Sequence, residues 1–296
     1  MFNSYHIADF FNLADTKLNF HINKLEEMPP LPSKILSPHK HHFYEIFLIK
    51  EGVAIQNVDY QEYKINSATL FFISQGQLHL WDKTHREGIS GYRLMFTEDF
   101  FLLNHIDKNF LFELVFLDNI YFYPCVDLSE NIREPIYTYF DLLYNEYQRA
   151  DANPQVIQSL LFLALTEIQR ISTKQNPDKI LSKQLGIYKQ FIELLEGHLA
   201  ENLSINDYAD KLCLSSKQLN RAVHSITNQS VSAVIKNRLI LEAKRLLTCT
   251  DLNVNQISNK LSFEDSAYFA RFFRKETQCS PTEFKAKMVE MYRKRS

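Results

Sequence analysis

Apolar positions recur along this chain with two different periods, and within 204–284 the helical period occurs twice. Ile205, Tyr208, Ala209 and Leu212 fall at i, i+3, i+4 and i+7, the stripe of one short helix. Ser204 precedes the stripe and Asp207 follows three residues on, the pattern of an N-cap with its acidic partner. After a break at Cys213-Leu214-Ser215, Ser215 and Gln218 open a second helix whose buried side is Leu219, Ala222, Val223 and Ile226. Helix, short turn and capped helix form a helix-turn-helix pattern, here over about 204–227. Moved on by 49 residues, the first stripe returns as Val254, Ile257, Ser258 and Leu261, with Asn253 and Gln256 at the cap positions. Past the turn the offset becomes 50: Leu219 maps to Phe269, Arg221 to Arg271, Val223 to Phe273 and Thr227 to Thr277. The added residue falls in the turn, where insertion is tolerated, and the second copy covers about 253–277. Residues 231–248 hold no Gly or Pro and suit a connecting helix. Ser280-Pro281-Thr282-Glu283 starts a final helix, and another is expected over 182–199.

Ahead of this region the period falls to two. His41, Phe43, Glu45, Phe47 and Ile49 alternate with His42, Tyr44, Ile46 and Leu48, a strand with both faces largely covered. Glu51-Gly52 makes a turn, 53–58 a second strand, and Asp59-Tyr60-Gln61 another turn. Tyr63 and Ile65 begin the next run, 68–73 reads as buried, 74–77 turns again, and 92–96 is the last clear strand. Phe20 and Ile22 hint at an earlier one. Many short strands with frequent turns predict a small barrel or sandwich. Residues 1–33 read as an arm: Phe2, Tyr5, Phe10 and Phe11 have packing surface, and 28–32 (MPPLP) is a stiff loop. Within 98–128, Phe100, Phe101, Phe110, Phe112 and Phe116 are expected to close the open end of the barrel. Helical spacing returns over 132–148 and 155–172, separated by Asp151-Ala152-Asn153-Pro154, with an apolar face on the second segment broader than one partner needs. TKQNPD at 173–178 is the best linker candidate.

Composition narrows the classes. With 296 residues there is room for two domains, each with its own core, and 45% hydrophobic with 23% charged content excludes a disordered chain. No stretch approaches the roughly 20 apolar residues of a membrane span. The start, MFNSYHIADF, lacks the basic and apolar regions of a signal peptide, so a cytoplasmic location is expected. Cys125, Cys213, Cys249 and Cys279 are far apart without a CxxC, which reads as reduced thiols. The net charge of −2 is an average of unlike parts. From residue 181 on, 18 Lys+Arg face 12 Asp+Glu, a net of +6, which leaves −8 for the remainder. Basic charge beside a doubled helix-turn-helix suits one half on DNA and one half away from it.

The stretch ISNKLSFEDSAYFARFFRKETQCSPTEF, 257–284, resembles the signature of the AraC/XylS family of transcription regulators almost throughout. That family usually has Gly in the turn where Cys213 and Ser262 stand, and favours Gly at Asn228 and Gln278. PHKHHFYEIFLIKEG, LFFISQGQLHLW and GYRLMFTEDFF resemble, more loosely, the cupin-like sensor domain that often precedes the module. The resemblance implies an α+β multidomain protein. A cupin-like barrel with a helical hairpin, about 1–175, would sense an effector and dimerise. An all-α domain of two helix-turn-helix motifs and a linker helix, about 180–296, would bind DNA. It further implies a regulator, more often an activator, that meets RNA polymerase and dimerises through the 132–172 hairpin. The alternative, a hairpin buried against its own barrel, stays open.

A recognition helix points its N-terminal residues at base edges, where Asn and Gln can bond adenine and Arg guanine. The outward residues are Lys217, Gln218, Asn220, Arg221 and His224 in the first copy, and Ser266, Ala267, Ala270 and Arg271 in the second. Of these, Lys217, Asn220, Arg221, Ser266, Ala267 and Arg271 fall where the family reads bases. Lys236, Arg238, Lys244, Arg245, Arg274, Lys275 and Lys285 are candidates for phosphate contact. At the sensor end, His39, His41, Glu45 and His79 follow the ligand order of metal-binding cupins, and N/O donors suit Zn, Fe, Mn or Ni. A role in ligand binding or a core hydrogen bond is the favoured reading, and His41 and His42 are interchangeable at this stage. His41, Phe43, Glu45, Phe47, Phe71, Ile73, His79 and Trp81 are expected to line an apolar cavity with a few polar groups. A small-molecule effector is expected and no cofactor. Two other functions compete: a metal-dependent cupin enzyme with an appended DNA module, and a dimeric DNA-binding protein that answers to no ligand.

Overall fold

Strand alternation sorts the N-terminal residues into two cores on opposite faces of one sheet. The computed structural model describes residues 4–10, 19–28, 38–81, 88–102, 110–111, 114–117, 124–175 and 183–295. It divides into two compact units, 3–176 and 177–296. In the first unit the strands are β1 (Ser4–Tyr5), β2 (Phe20–Lys24), β3 (Lys40–His41), β4 (Tyr44–Glu51), β5 (Ala54–Val58), β6 (Gln61–Ile65), β7 (Thr69–Ile73), β8 (His79–Trp81), β9 (Ser90–Phe96) and β10 (Cys125–Asp127). Five form a sheet in the order β10-β7-β4-β9-β2, three form a second in the order β6-β5-β8, and β1 pairs with β3 in parallel. The β5–β6 hairpin turns through Asp59 and Tyr60, both at positive φ, as the twist of a tight hairpin requires. Gly91 in β9 is obligatory: a Cβ there would lie 1.9 Å from the Leu48 carbonyl oxygen.

One face of the large sheet, through Ile22, Ile46, Leu48, Leu70, Phe72, Leu94 and Phe96, packs beneath helices α2 (Glu130–Tyr147) and α3 (Pro154–Gln175). The helices bring Phe140, Leu143, Leu161, Leu165 and Ile168 to this layer. The other face looks into the barrel. Phe47, Ile49, Phe71 and Ile73 meet Ala54, Val58 and Ile65 from the small sheet there.

Several expectations need correction. The strand expected over 41–49 bends at His42-Phe43, which divides β3 from β4. The strands β8 and β10 were not anticipated. Phe100, Phe101 and Phe116 belong to the sheet–helix layer, with Phe110 packed against it, and do not close the barrel. That end is covered by the arm, where Tyr5, Ile7 and Phe10 cluster with Phe43 and Met95. Thr173–Gln175 continue α3, so the first half of the linker candidate is helix. Phe2, Phe11, Phe112, the loop 29–32 and the rest of the linker lie outside the described residues.

The second unit is helical. Its elements are α4 (Lys183–His198), α5 (Ile205–Lys211), α6 (Ser216–Thr227), α7 (Val231–Cys249), α8 (Val254–Lys260), α9 (Ser266–Thr277) and α10 (Pro281–Arg295). Each repeat of the pattern has become a short helix, a left-handed turn residue and a longer capped helix. Cys213 and Ser262 sit at φ of 53° and 56° in the two turns. Val231, Val234, Ala243 and Leu247 bury one side of α7, the connector expected over 231–248.

Candidate DNA-reading surface and sensor interior

The cap chemistry read from the sequence fixes where each recognition helix begins. Ser204 and Asp207, Ser215 and Gln218, and Asn253 and Gln256 each form a reciprocal capping box. Ahead of α9 the cap is Asp265, whose carboxylate accepts from the Tyr268 backbone N–H at 2.5 Å. Leu219, Ala222, Val223 and Ile226 are buried on α6, as are Phe269 and Phe273 on α9. Helical spacing then turns Lys217, Gln218, Arg221 and His224 outward on α6, and Ala267, Arg271, Arg274 and Lys275 outward on α9. Ser266 and Ala270 are half-buried beside them.

Some candidates are engaged elsewhere. Asn220 is half-buried, and both ends of its amide are used within the unit. Its Nδ2 donates to the Ser216 carbonyl at 3.0 Å, and its Oδ1 accepts from the Val231 N–H at 3.2 Å. It braces α6 against the start of α7. Gln218 keeps its amide nitrogen, but its Oε1 accepts from the Ser215 N–H in the cap. Arg238 is 6% exposed. It grips Glu196 through Nε and Nη2 at 2.5 and 2.7 Å, and Glu242 through Nη1 at 3.1 Å. Arg245 is as deeply buried and lies 4.0 Å from Glu242. Both arginines are thus engaged within the unit, by carboxylates that are themselves exposed at Glu196 and half-buried at Glu242. Lys236 pairs with Glu276 at 3.0 Å, and Lys244 lies over the Phe284 ring. Lys285 donates to the Thr250 carbonyl at 3.4 Å. Arg274 and Lys275 remain exposed at the last turn of α9. The sequence reading passed over Tyr268, 50% exposed on α9. The signal was present, because the offset of 50 maps Tyr268 onto outward-facing Gln218.

In the barrel, the bend at His42-Phe43 settles which histidine turns inward: His41 is fully buried, whereas His42 is exposed and stacks on His6. His41 Nε2 lies 3.3 Å and His79 Nε2 3.7 Å from Glu45 Oε2. The other carboxylate oxygen, Oε1, accepts from Nε of buried Arg93. His39 bridges to His79 through the backbone and packs its ring 4.4 Å from that of His79, beside the tight group. Burial pushes the Glu45 carboxyl up, but the Arg93 guanidinium and the His41 hydrogen bond outweigh it and hold the carboxyl well below its ordinary range. Burial, with His39 and His41 alongside, holds the His79 imidazole well below 6.5. Phe43 stacks on His41 at 3.9 Å, and Phe47 and Phe71 line the apolar part of the interior. Trp81 pairs with Gln56 across the small sheet, and its side chain lies outside the described residues. Gln56 is fully buried, and neither end of its amide has a hydrogen-bond partner. Arg93 and Gln56 are the residues of this interior that sequence reasoning missed. Their signal was a polar side chain in the middle of an apolar strand.

The cupin-like fold raises the question of a metal ion. His41, Glu45 and His79 place ligand atoms within 4.8 Å of one another, a spacing that suits one. The charge does not: the only anion of the trio is already neutralised by a buried guanidinium. As they stand, these residues do not fit a divalent ion.

Comparison with known proteins assigns both halves of the chain. Residues 31–165 match the AraC-like ligand binding domain, and 208–287 match a helix-turn-helix domain. The chain belongs to the AraC family of transcription regulators. It is similar to the HTH-type transcriptional activator RhaS of Salmonella paratyphi A, with 23% identity over 258 residues, 87% of this chain and 90% of that protein. Among solved structures it is similar to ToxT from Vibrio cholerae with an unsaturated fatty acid bound. The identity there is 15% and the TM-score 0.42, over 90% of this chain and 94% of that one. A regulator from Chromobacterium violaceum with an AraC-type DNA-binding domain is 24% identical, with a TM-score of 0.33, over 34% of this chain and 91% of that one. As a family member the chain is a DNA-binding transcription regulator, and its relatives are regulators. Among the described residues no helix is long and apolar enough to cross a membrane.

Proposed function

We propose that this protein is an effector-responsive activator that acts as a cytoplasmic homodimer and carries out no catalysis. The observation that carries the DNA half is the outward pairing of Lys217, Arg221 and His224 on α6 with Ala267, Tyr268 and Arg271 on α9, each set held by a capped helix with a buried opposite side. Arg221 and Arg271 reach guanine. Ala267 and Ala270 contact a thymine methyl or leave room, and Arg274 and Lys275 meet phosphate. The two helices enter successive major grooves about 34 Å apart. The effector lies in the barrel, among Phe47, Phe71 and the Gln56 amide. Dimerisation uses the α2–α3 hairpin, where Leu142, Val156 and Leu163 are 41–47% exposed although the rest of the apolar face is buried. Acting as an activator, the dimer would meet RNA polymerase at the promoter.

Selection of bound fragments from random DNA, followed by affinity measurement on the selected site, tests this reading. Arg221→Ala should cost about 1–3 kcal/mol and relax the preference at one base pair. A uniform loss over all DNA sequences would demote Arg221 to a phosphate contact.

A further inference from the structure

The trio His41, Glu45 and His79 has a metal site's geometry without its electrostatics. Two imidazole nitrogens stand 3.3 and 3.7 Å from one carboxylate oxygen. Ligands bound to a tetrahedral ion at 2.0–2.2 Å are separated by about 3.4 Å. The histidine orientation fits as well. His79 Nδ1 lies 3.2 Å from the Gln77 carbonyl oxygen, the outer contact that turns the other ring nitrogen toward an ion. All three residues are buried; Glu45 is held by the pairing of β4 with β7 and β9, His79 by that of β8 with β5, and His41 by that of β3 with β1.

Arg93 is the discordant member. It lies on β9 opposite Phe47, on the same inward face as Glu45, and is 4% exposed. Its Nε donates to Glu45 Oε1, and the guanidinium lies 4.9 Å from the Phe10 ring and 5.9 Å from the Phe47 ring. A divalent ion on the trio would put two further positive charges beside this one, with Glu45 as the anion they share. Buried charge without a counter-charge is what protein interiors reject.

We propose that Arg93 is the built-in cation of this cluster and that it alone keeps His41, Glu45 and His79 from holding a divalent metal ion. The proposal does not depend on the DNA-binding reading. An uncharged side chain at position 93 frees Glu45 Oε1, leaves the ligand spacing in place and converts the cluster into a metal site.

The test uses the full, tag-free chain, treated with chelator and titrated with Co²⁺. Uptake is read by equilibrium dialysis and by the visible absorption bands of the bound ion. The wild-type chain and Arg93→Lys, which keeps the charge, should bind no ion at the cluster. Arg93→Gln and Arg93→Met should each bind about one, and the added substitution His79→Ala should abolish that uptake. Metal binding contributes to folding when it requires the folded site. A neutral variant that is unfolded alone but folds with Co²⁺ therefore supports the proposal as well. Three results overturn it: stoichiometric uptake by the wild-type chain that His79→Ala removes, a folded Arg93→Gln or Arg93→Met that takes up none, or variants that stay unfolded with Co²⁺ present.

Discussion

Equivalent positions in the two motifs hold different residues, and the differences have readable costs. Ala209 in α5 is buried and apolar; its counterpart Ser258 in α8 is fully buried with a hydroxyl that has no hydrogen-bond partner. A buried hydroxyl left unsatisfied costs about 1–3 kcal/mol. The first copy already shows that a methyl group suits the position. Ser258→Ala should therefore stabilise the C-terminal unit by about 1 kcal/mol, seen as a higher melting temperature with DNA affinity unchanged. A lower melting temperature would show that the hydroxyl has a partner in solution. Asn220 shows at the same scale what spacing leaves out. Spacing identifies the face of a helix, but it does not reveal that a neighbouring helix start offers an N–H to a side chain on the edge of that face, as Val231 does to Asn220.

At the scale of elements, four turn residues that are commonly Gly in this family occupy the left-handed region as Cys213, Asn228, Ser262 and Gln278. A Cβ crowds the following carbonyl in that region, and the short Asn amide offsets this with a local hydrogen bond to the backbone more readily than the longer Gln. Gln278→Gly should therefore stabilise the end of α9 by about 1 kcal/mol, and Asn228→Gly by less. Urea denaturation of the two variants compares them; an equal or larger gain at Asn228 would refute the ranking. Helix ends were legible because a cap, an apolar stripe and a stop agree over some ten residues. The strands β8 and β10 have three residues each, too few to show a period. Strand β4 is covered on both faces, so alternation located the strand without saying which face meets the helices. For that reason the aromatic residues after β9 read as a closure of the barrel's open end, although they belong to the sheet–helix layer. The cluster of His41, Glu45 and His79 was legible as a pattern, while Arg93, one polar residue among YRLMF, became visible only once register placed it opposite Phe47, on the face that Glu45 shares.

At the scale of the whole molecule, the two units respond to acid in different pH windows. In the N-terminal unit, burial and the nearby Arg93 hold His21 at about 3, and burial holds His79 well below 6.5. Both are neutral when folded and gain a proton when unfolded as pH falls below about 6.5, so the unfolded chain binds more protons and stability declines with acid from there. Glu45, held low by Arg93, adds its loss as pH falls below 4.5, its value in the unfolded chain. In the C-terminal unit the carboxyls of Asp207 and Glu283 are lowered by cap hydrogen bonds, from ordinary values of 3.8 and 4.5. Their contribution persists until pH falls through that lower range. Between pH 6.5 and 4.5 the N-terminal unit should thus lose about 1–3 kcal/mol while the cap carboxylates of the C-terminal unit hold. The single tryptophan, at position 81, belongs to the N-terminal unit, so its fluorescence follows that unit alone, while far-ultraviolet circular dichroism follows the helices of both. Melting followed by fluorescence should shift downward from pH 7 to pH 5, ahead of the main helical transition. His21→Gln, which keeps a polar partner for Tyr147 but does not titrate, should flatten that slope. A fluorescence transition that stays level across this range, or one that always moves together with the helical signal, would show that the buried imidazoles do not set the acid limit of the sensor unit.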